Sequence, residues 1–275
     1  MRIVIGMDGS DNAKGALRWA VEEAEVHGAS VQALLVWSYL DQQHTDPDAP
    51  FDPTYDAAAA KETLGTWVSE ALGAEHQVEL LVACELGPRG LLEASDSADL
   101  LVLGARGRGG FGELLLGSVS QRVVEAATRP VAVVRDPAPV RGGQVLVGVD
   151  GSASSVDALR WAAREAKARD AELHVVHAWR LQVMAASPWV AAIPDDIEAI
   201  SRQVLDQALA DPALAEVRAQ GHLHHGGAGH ALVERSGGAA LVVVGSRGQG
   251  RISSLLLGSV TRQLVHHAAC PVVVV

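Results

Sequence analysis

Short apolar runs alternate with longer segments of helical periodicity along the whole chain. Residues 3–5 and 145–147 are compact runs rich in β-branched side chains, which predicts buried strands. After the second run, Val156, Leu159 and Ala163 fall on one face of a helix that Ser152 can cap. The pattern therefore predicts a strand followed by an amphipathic helix at two separate places in the chain.

Similar patterns recur through the rest of the sequence. Further strands are predicted at 31–37, 78–84, 100–103, 131–134 and 173–179, and further helices near 56–72, 91–97, 118–127 and 195–210. Strands that alternate with helices pair in parallel through right-handed crossovers. The predicted fold class is therefore α/β, with doubly wound, parallel, five-stranded sheets that carry helices on both faces.

The chain contains two copies of one domain. Asp8-Gly9-Ser10 returns 142 residues later as Asp150-Gly151-Ser152, and the run at 16–20 returns at 158–162. That period is far longer than a solenoid unit, so a whole domain is duplicated. A Pro/Gly-rich stretch separates the copies. We expect domains at 1–136 and 144–275, joined by a linker at 137–143.

Each copy carries a glycine-rich loop directly after its fourth strand. Gly104 and Gly107 are followed, after nine residues, by Gly117 and Ser118, and the same spacing recurs from Gly245. Glycine lets the backbone approach a ligand closely, and the N–H groups at a helix start suit phosphate. Turn glycines and a helix cap are the alternative explanation, but identical spacing in both copies favours a loop that binds phosphate.

Polar side chains flank both loops. Arg106 and Arg247 can add charge-assisted hydrogen bonds beside bound phosphates. The hydroxyls at the start of the following helix are expected to donate further bonds; they belong to Ser118, Ser120, Ser259 and Thr261. The loops differ between their glycines, so we expect the two sites to differ in affinity.

The doubled pattern resembles the ATP-binding signature of the universal stress protein family, and the resemblance covers nearly the whole chain. It implies a Rossmann-like fold, similar to the adenine nucleotide α-hydrolases, with one ATP site per domain. In the first domain the implied site residues are Met7, Asp8, Val36, Leu103, Gly104, Arg106, Gly107, Gly117, Ser118, Val119 and Ser120. In the second domain they are Val149, Asp150, Ala178, Val244, Gly245, Arg247, Gly248, Gly258, Ser259, Val260 and Thr261.

The resemblance also implies roles. An aspartate after the first strand, Asp8 or Asp150, approaches the ribose and adenine side. A backbone position in the second strand, Val36 or Ala178, meets adenine. The family's last strands commonly pair antiparallel in dimers, which implies pairing of 131–134 with 272–275 and a homodimer. The implied function is a nucleotide-dependent regulator of a stress response that binds ATP, with Mg²⁺.

Charge and composition exclude some classes of binding partner and indicate where the protein is located. The formal net charge is −11, which disfavours nucleic acid and anionic membranes because both need a basic surface. We find no pattern of a signal peptide or a membrane span, so we expect a cytoplasmic protein. Cys84 and Cys270 are too few for a disulfide framework, and both are expected to be buried, reduced thiols.

Two other functions remain open from the sequence. A slow ATPase would use Asp8 or Asp150 to orient Mg²⁺ or water, although no dedicated catalytic base is evident. A scaffold with vestigial sites would use the duplication for assembly alone. A metal site is disfavoured because no carboxylate or cysteine at suitable spacing completes the histidine cluster, which comprises His222, His224, His225 and His230.

Overall fold

A computed structural model describes residues 1–46, 48–108, 116–135, 143–180, 194–248 and 257–275. The chain divides into two compact units, Met1–Val140 and Arg141–Val275. Of the predicted linker at 137–143, only Gly143 lies within the described residues. The linker bounds therefore stay a prediction.

In the described part of unit 1, five parallel strands form a sheet that packs with four helices. Its elements are β1 (Arg2–Met7), α1 (Asp11–His27), β2 (Ser30–Trp37), α2 (Ala57–Leu72), β3 (Glu79–Cys84), α3 (Gly87–Ser95), β4 (Leu100–Gly104), α4 (Ser118–Ala126) and β5 (Val131–Val134). The strand order is β3-β2-β1-β4-β5, and all neighbouring strands are parallel. The order reverses between β1 and β4, which places a crevice at their carboxyl ends.

Unit 2 repeats this architecture. Its elements are β6 (Gln144–Gly148), α5 (Ala153–Arg169), β7 (Glu172–Trp179), α6 (Pro194–Leu209), a 3-10 turn (Pro212–Leu214), β8 (Ala219–His225), α7 (Ala228–Ser236), β9 (Ala239–Val244), α8 (Ser259–His267) and β10 (Val272–Val274). The order β8-β7-β6-β9-β10 is again all parallel. The predicted α/β, doubly wound fold is confirmed.

The first helix of each unit begins and ends for local reasons. Ser10 caps α1 by accepting a hydrogen bond from the N–H of Ala13, and Ser152 caps α5 in the same way. Helix α1 stops at Gly28, which adopts the left-handed conformation with φ of 58°. Trp19 on α1 and Trp161 on α5 occupy corresponding positions in the two copies, and both are buried.

The two cysteines differ. Cys270 is buried, as expected, and burial raises the pKa of its thiol to about 12. Cys84 is exposed, so the expectation that both thiols are buried was wrong. Cys84 is the last residue of β3, which is an edge strand of unit 1, so this position lacks cover from a further strand.

Candidate functional site

Each unit has a cavity at the carboxyl ends of its strands, where the strand order reverses. The cavity in unit 1 measures about 360 Å³ and that in unit 2 about 290 Å³, sizes at the lower end of small-molecule sites. Every residue predicted for the first site lines the unit 1 cavity. Every residue predicted for the second site except Ala178 lines the unit 2 cavity.

Strand β7 contributes Val176 to its cavity instead of Ala178. The two residues lie on the same face of the strand because they are two positions apart. Ala178 is nearer the end of β7, where it is opposite His224 of β8. The backbone contact to adenine that the resemblance implied at Ala178 is therefore not part of the cavity that the described residues form.

An anchored aspartate follows the first strand of each unit. Asp8 Oδ1 accepts hydrogen bonds from the backbone N–H and the hydroxyl of Ser10, at 3.0 and 2.7 Å. Its Oδ2 accepts the backbone N–H of Arg108 at 3.1 Å. In unit 2, Asp150 Oδ1 accepts the equivalent two bonds from Ser152, at 3.0 and 2.6 Å. In unit 1 these bonds tie the end of the first strand to the glycine loop, and in both units they hold the carboxylate beside the cavity.

That carboxylate explains the second glycine of the motif. A Cβ atom on Gly107 would lie 2.2 Å from Asp8 Oδ2, and one on Gly248 would lie 2.5 Å from Asp150 Oδ2. Any side chain at this position would therefore displace the aspartate from its hydrogen bonds. The glycine and the aspartate of the repeat form one structural unit in both copies.

The helix that follows each loop begins without a side-chain cap. Gly117 is the N-cap residue of α4 and Gly258 that of α8, and glycine has no side chain that could accept a hydrogen bond from the first N–H groups of the helix. The first N–H groups of an α-helix have no intrahelical acceptor, and they carry the positive end of the helix dipole. Ser118 and Ser259 open these helices and line the cavities, so both cavities receive backbone donors suited to an anion.

Two of the predicted hydroxyl donors are already used within the protein. Ser120 donates its hydroxyl proton to the carbonyl of Gly104 at 2.8 Å, and Thr261 donates to the carbonyl of Gly245 at 2.8 Å. This differs from the expectation that these hydroxyls donate to a ligand. Because a hydroxyl has a single proton, their role here is to hold the loop against the helix.

An arginine lines each cavity without a protein anion to pair with it. Among the described residues, the guanidinium groups of Arg106 and Arg247 have no hydrogen-bond or ion-pair partner, and Arg106 Nε is buried. The protein as a whole carries a formal charge of −11. Cations left without partners next to helix N-termini make both cavities suited to a negatively charged ligand.

Sequence reasoning missed several lining residues that the repeat could have revealed. These occupy corresponding positions in the two copies: Gly6 with Gly148, Ala13 with Ser155, Gly87 with Ala228, and Leu91 with Leu232. Unit 1 adds Leu116, next to Gly117, Asp41 and Gln43 from the loop after β2, and Arg108 from the glycine loop. No periodic pattern marks the last three of these residues.

The histidines of β8 make contacts with strand β7. His222 Nε2 lies 2.9 Å from His174 Nδ1, and the two rings stack. Burial, followed by the charges of Arg235 and His174, lowers the pKa of His222. Over the residues that the structure describes, none of the four clustered histidines belongs to a group of three metal-ligating side chains.

Trp37 and Trp179, which end the second strands, lie outside the cavity linings and pack on neighbouring rings. Trp37 contacts Tyr55 with ring centroids 5.1 Å apart, and Trp179 contacts His225 at 4.5 Å.

No helix in the described parts of the chain combines the length and apolar character that a membrane span needs.

Comparisons with known proteins agree with this architecture. The universal stress protein family matches residues 1–135 and 143–275. A universal stress protein of Mycolicibacterium smegmatis is 32% identical over 286 residues, covering 99% of this chain and 96% of the relative. A solved universal stress protein of Archaeoglobus fulgidus superposes with a TM-score of 0.68 at 19% identity, covering 99% of this chain and 97% of its own.

A further solved structure is a universal stress protein in complex with cAMP. It is 27% identical, with a TM-score of 0.39, and covers 48% of this chain and 96% of its own. The family match extends over both units, and the full-length relative confirms the tandem arrangement. The chain therefore belongs to the universal stress protein family, with two family domains in tandem.

Proposed function

We propose that this protein binds ATP, as Mg-ATP, at one site in each unit and that nucleotide occupancy regulates its role in a stress response. The observation that carries the proposal is the pairing of an uncapped helix N-terminus with an arginine that has no protein partner in the described residues. This pairing occurs at the same place in both cavities. Backbone N–H groups and a guanidinium together suit a polyphosphate better than a neutral ligand.

The apolar part of each cavity suits the other end of a nucleotide. Leu91, Leu103 and Val36 line the unit 1 cavity, and Leu232, Val244 and Val176 line the cavity of unit 2. An aromatic base is a large apolar surface with a few polar edges, and such walls favour its burial. Each cavity therefore offers an apolar region for the base and a cationic region for phosphates.

The first experiment is to purify the protein without added nucleotide, denature it and identify the small molecules that are released. ATP or ADP recovered at one to two molecules per chain would support the proposal. Titration with Mg-ATP by calorimetry then gives the number of sites and their affinities. A silent titration together with the absence of released nucleotide would contradict the proposal and favour a scaffold with vestigial sites.

Substitution of the glycine before each uncapped helix assigns the sites. A Cβ on Gly117 would have its nearest atom at 3.5 Å and one on Gly258 at 3.4 Å, so the protein itself accommodates a side chain there. Aspartate is a favourable N-cap, so Gly117→Asp and Gly258→Asp keep the helices but place a negative charge at the anion site. We expect each substitution to weaken Mg-ATP binding in its own unit at least tenfold.

Gly117→Asn and Gly258→Asn are the matched controls. Asparagine has the size and capping ability of aspartate but no charge, so it should weaken Mg-ATP binding much less. Equal affinity in the aspartate variants and the wild-type chain would show that the anion does not bind at these helix starts.

A further inference from the structure

The topology of unit 1 gives a bound nucleotide a direction. The glycine loop and the start of α4 follow β4, whereas β2 lies on the other side of β1. Neighbouring strands are about 4.8 Å apart, so the end of β2 is roughly 10 Å from the end of β4. Phosphates held at the start of α4 therefore leave the nucleoside end of the ligand near the end of β2.

The loop after β2 brings two polar side chains to that end of the cavity. Asp41 and Gln43 both line it, and Gln43 Nε2 donates to Asp41 Oδ1 at 3.0 Å. The backbone of Asp41 exchanges two hydrogen bonds with that of Ser38, at 3.1 and 3.2 Å. The backbone at Asp41 is thus held by a tight turn shortly after the strand, and the bond from Gln43 is the contact that orients its carboxylate among the described residues.

Hydrogen bonds farther along fasten the same loop to the rest of unit 1. The side-chain amide of Gln42 donates to the carbonyl of Asp52 at 2.6 Å and accepts the N–H of Asp52 at 2.8 Å. Arg108 of the glycine loop donates to the carbonyl of His44 at 2.6 Å. The phosphate side and the β2 side of the cavity are therefore connected through Arg108.

The carboxylate of Asp41 can accept more additional hydrogen bonds than the carboxylate of Asp8, the aspartate after β1. Asp8 already accepts three hydrogen bonds, whereas Asp41 accepts one through its side chain. Among the described residues, Asp41 Oδ2 and Gln43 Oε1 accept no hydrogen bond. A carboxylate near phosphate would repel it, but at the nucleoside end it can accept from hydroxyl groups. In dinucleotide-binding folds of this topology, an acidic residue after the second strand commonly binds the ribose hydroxyls.

We propose that Asp41, supported by Gln43, binds the ribose hydroxyls of the nucleotide in unit 1 and makes this site selective for ribonucleotides. The inference rests on the proposed nucleotide binding and adds a specificity-determining contact to it. Unit 2 provides an internal comparison. The position 142 residues after Asp41 is Val183, and the whole stretch 181–193 contains no acidic residue. The unit 2 site therefore has no acidic residue at the corresponding position, and we expect it to discriminate less than the unit 1 site between ribo- and deoxyribonucleotides.

The test uses the full chain with the unit 2 site disabled by Gly258→Asp. Mg-ATP and its 2′-deoxy and 3′-deoxy analogues are titrated by calorimetry. A charge-assisted hydrogen bond corresponds to about tenfold in affinity or more, so we expect each deoxy analogue to bind at least tenfold more weakly than ATP. When Asp41→Asn is added, the ratio of the affinity for ATP to that for each deoxy analogue should fall to about twofold, because the charged acceptor is lost.

Asp48→Asn is the matched control because it removes the same charge from the same loop at an exposed residue that does not line the cavity. It should leave the ratio of ATP to deoxy-ATP affinity unchanged. Since the readout is a ratio within one variant, a general effect of charge on ATP affinity cancels.

Each outcome separates the two proposals. If the unit 1 site binds ATP and both deoxy analogues equally, the ribose contact is overturned while nucleotide binding stands. A selectivity that persists in Asp41→Asn would also overturn it, because another group would then bind the ribose. If the wild-type chain binds none of the three nucleotides, nucleotide binding itself fails, and the ribose contact fails with it.

Discussion

The glycines of the repeated motif have different neighbours, so they do different things. A Cβ on Gly104 would lie 2.9 Å from the backbone nitrogen of Ala13 at the start of α1. A Cβ on Gly245 would lie 2.8 Å from the backbone carbon of Ser154 in the equivalent helix. The first motif glycine therefore allows the loop to pack against a helix backbone. A Cβ on Gly117, by contrast, would make only ordinary contacts with the described residues, at 3.5 Å or more.

Gly104→Ala should destabilise the protein by about 1–3 kcal/mol, because the methyl group would overlap backbone atoms that cannot rotate away. The measurement is urea unfolding followed by circular dichroism. Gly15→Ala is the control: it lies inside α1, and a Cβ there would have its nearest atom at 3.9 Å. That change should stabilise the protein by about 0.5–1 kcal/mol, since alanine is the better helix former. If the two variants changed the free energy of unfolding in the same direction, the different packing of these glycines would not explain their effects.

At the scale of whole elements, the described edge strand β8 of unit 2 joins β7 through a pair of histidines. His222 and His174 face each other, and Glu172 Oε2 lies 3.3 Å from His174 Nε2 on the far side. Arg235 adds a further cation near His222. Burial, Arg235 and the neighbouring His174 all lower the pKa of His222, and Glu172 alone raises it.

The lowered pKa of His222 predicts that unit 2 becomes less stable in mild acid. In the unfolded chain His222 takes up its proton near pH 6.5, whereas in the folded chain it does so only at lower pH. The contribution of His222 to the free energy of unfolding of unit 2 should therefore be fully present above about pH 6.5. It should decrease as the pH falls from there towards the folded-state pKa.

Ring NMR titration of the folded protein measures that pKa directly. We expect His222 to titrate below 6.5, and His174→Gln to raise its pKa only partly, because burial is the larger cause. A His222 pKa at or above 6.5 in the wild-type protein would contradict the prediction.

The elements and most residues that line the two cavities were predictable because they depend on local rules. Period-2 and period-3.6 patterns located the strands and helices, and the repeated glycine spacing located the residues around Gly104 and Gly245. The loop after β2 was not predictable, because the position of Asp41 depends on bonds between distant residues such as Arg108 and His44. The hydrogen bond of the Ser120 hydroxyl was likewise not predictable from the sequence, because its acceptor, the carbonyl of Gly104, is 16 residues away.

For the molecule as a whole, the duplication gives each unit a cavity of its own, and we propose one nucleotide site in each. The residues that line each cavity come from that unit alone. A ligand that binds a folded unit stabilises that unit by mass action, by about 2.7 kcal/mol at a free concentration one hundred times the Kd. Stabilisation by Mg-ATP should therefore be separable between the units.

Hydrogen exchange with mass spectrometry tests this separation, because peptides report on each unit individually. In the wild-type protein, we expect saturating Mg-ATP to slow exchange in β1 and β4 of unit 1 and in β6 and β9 of unit 2. In Gly117→Asp, protection by Mg-ATP should disappear from unit 1 and persist in unit 2, and Gly258→Asp should give the reverse. Since each substitution alters a single cavity, a loss of protection in both units of either variant would mean that the two sites act together rather than as two independent copies of one domain.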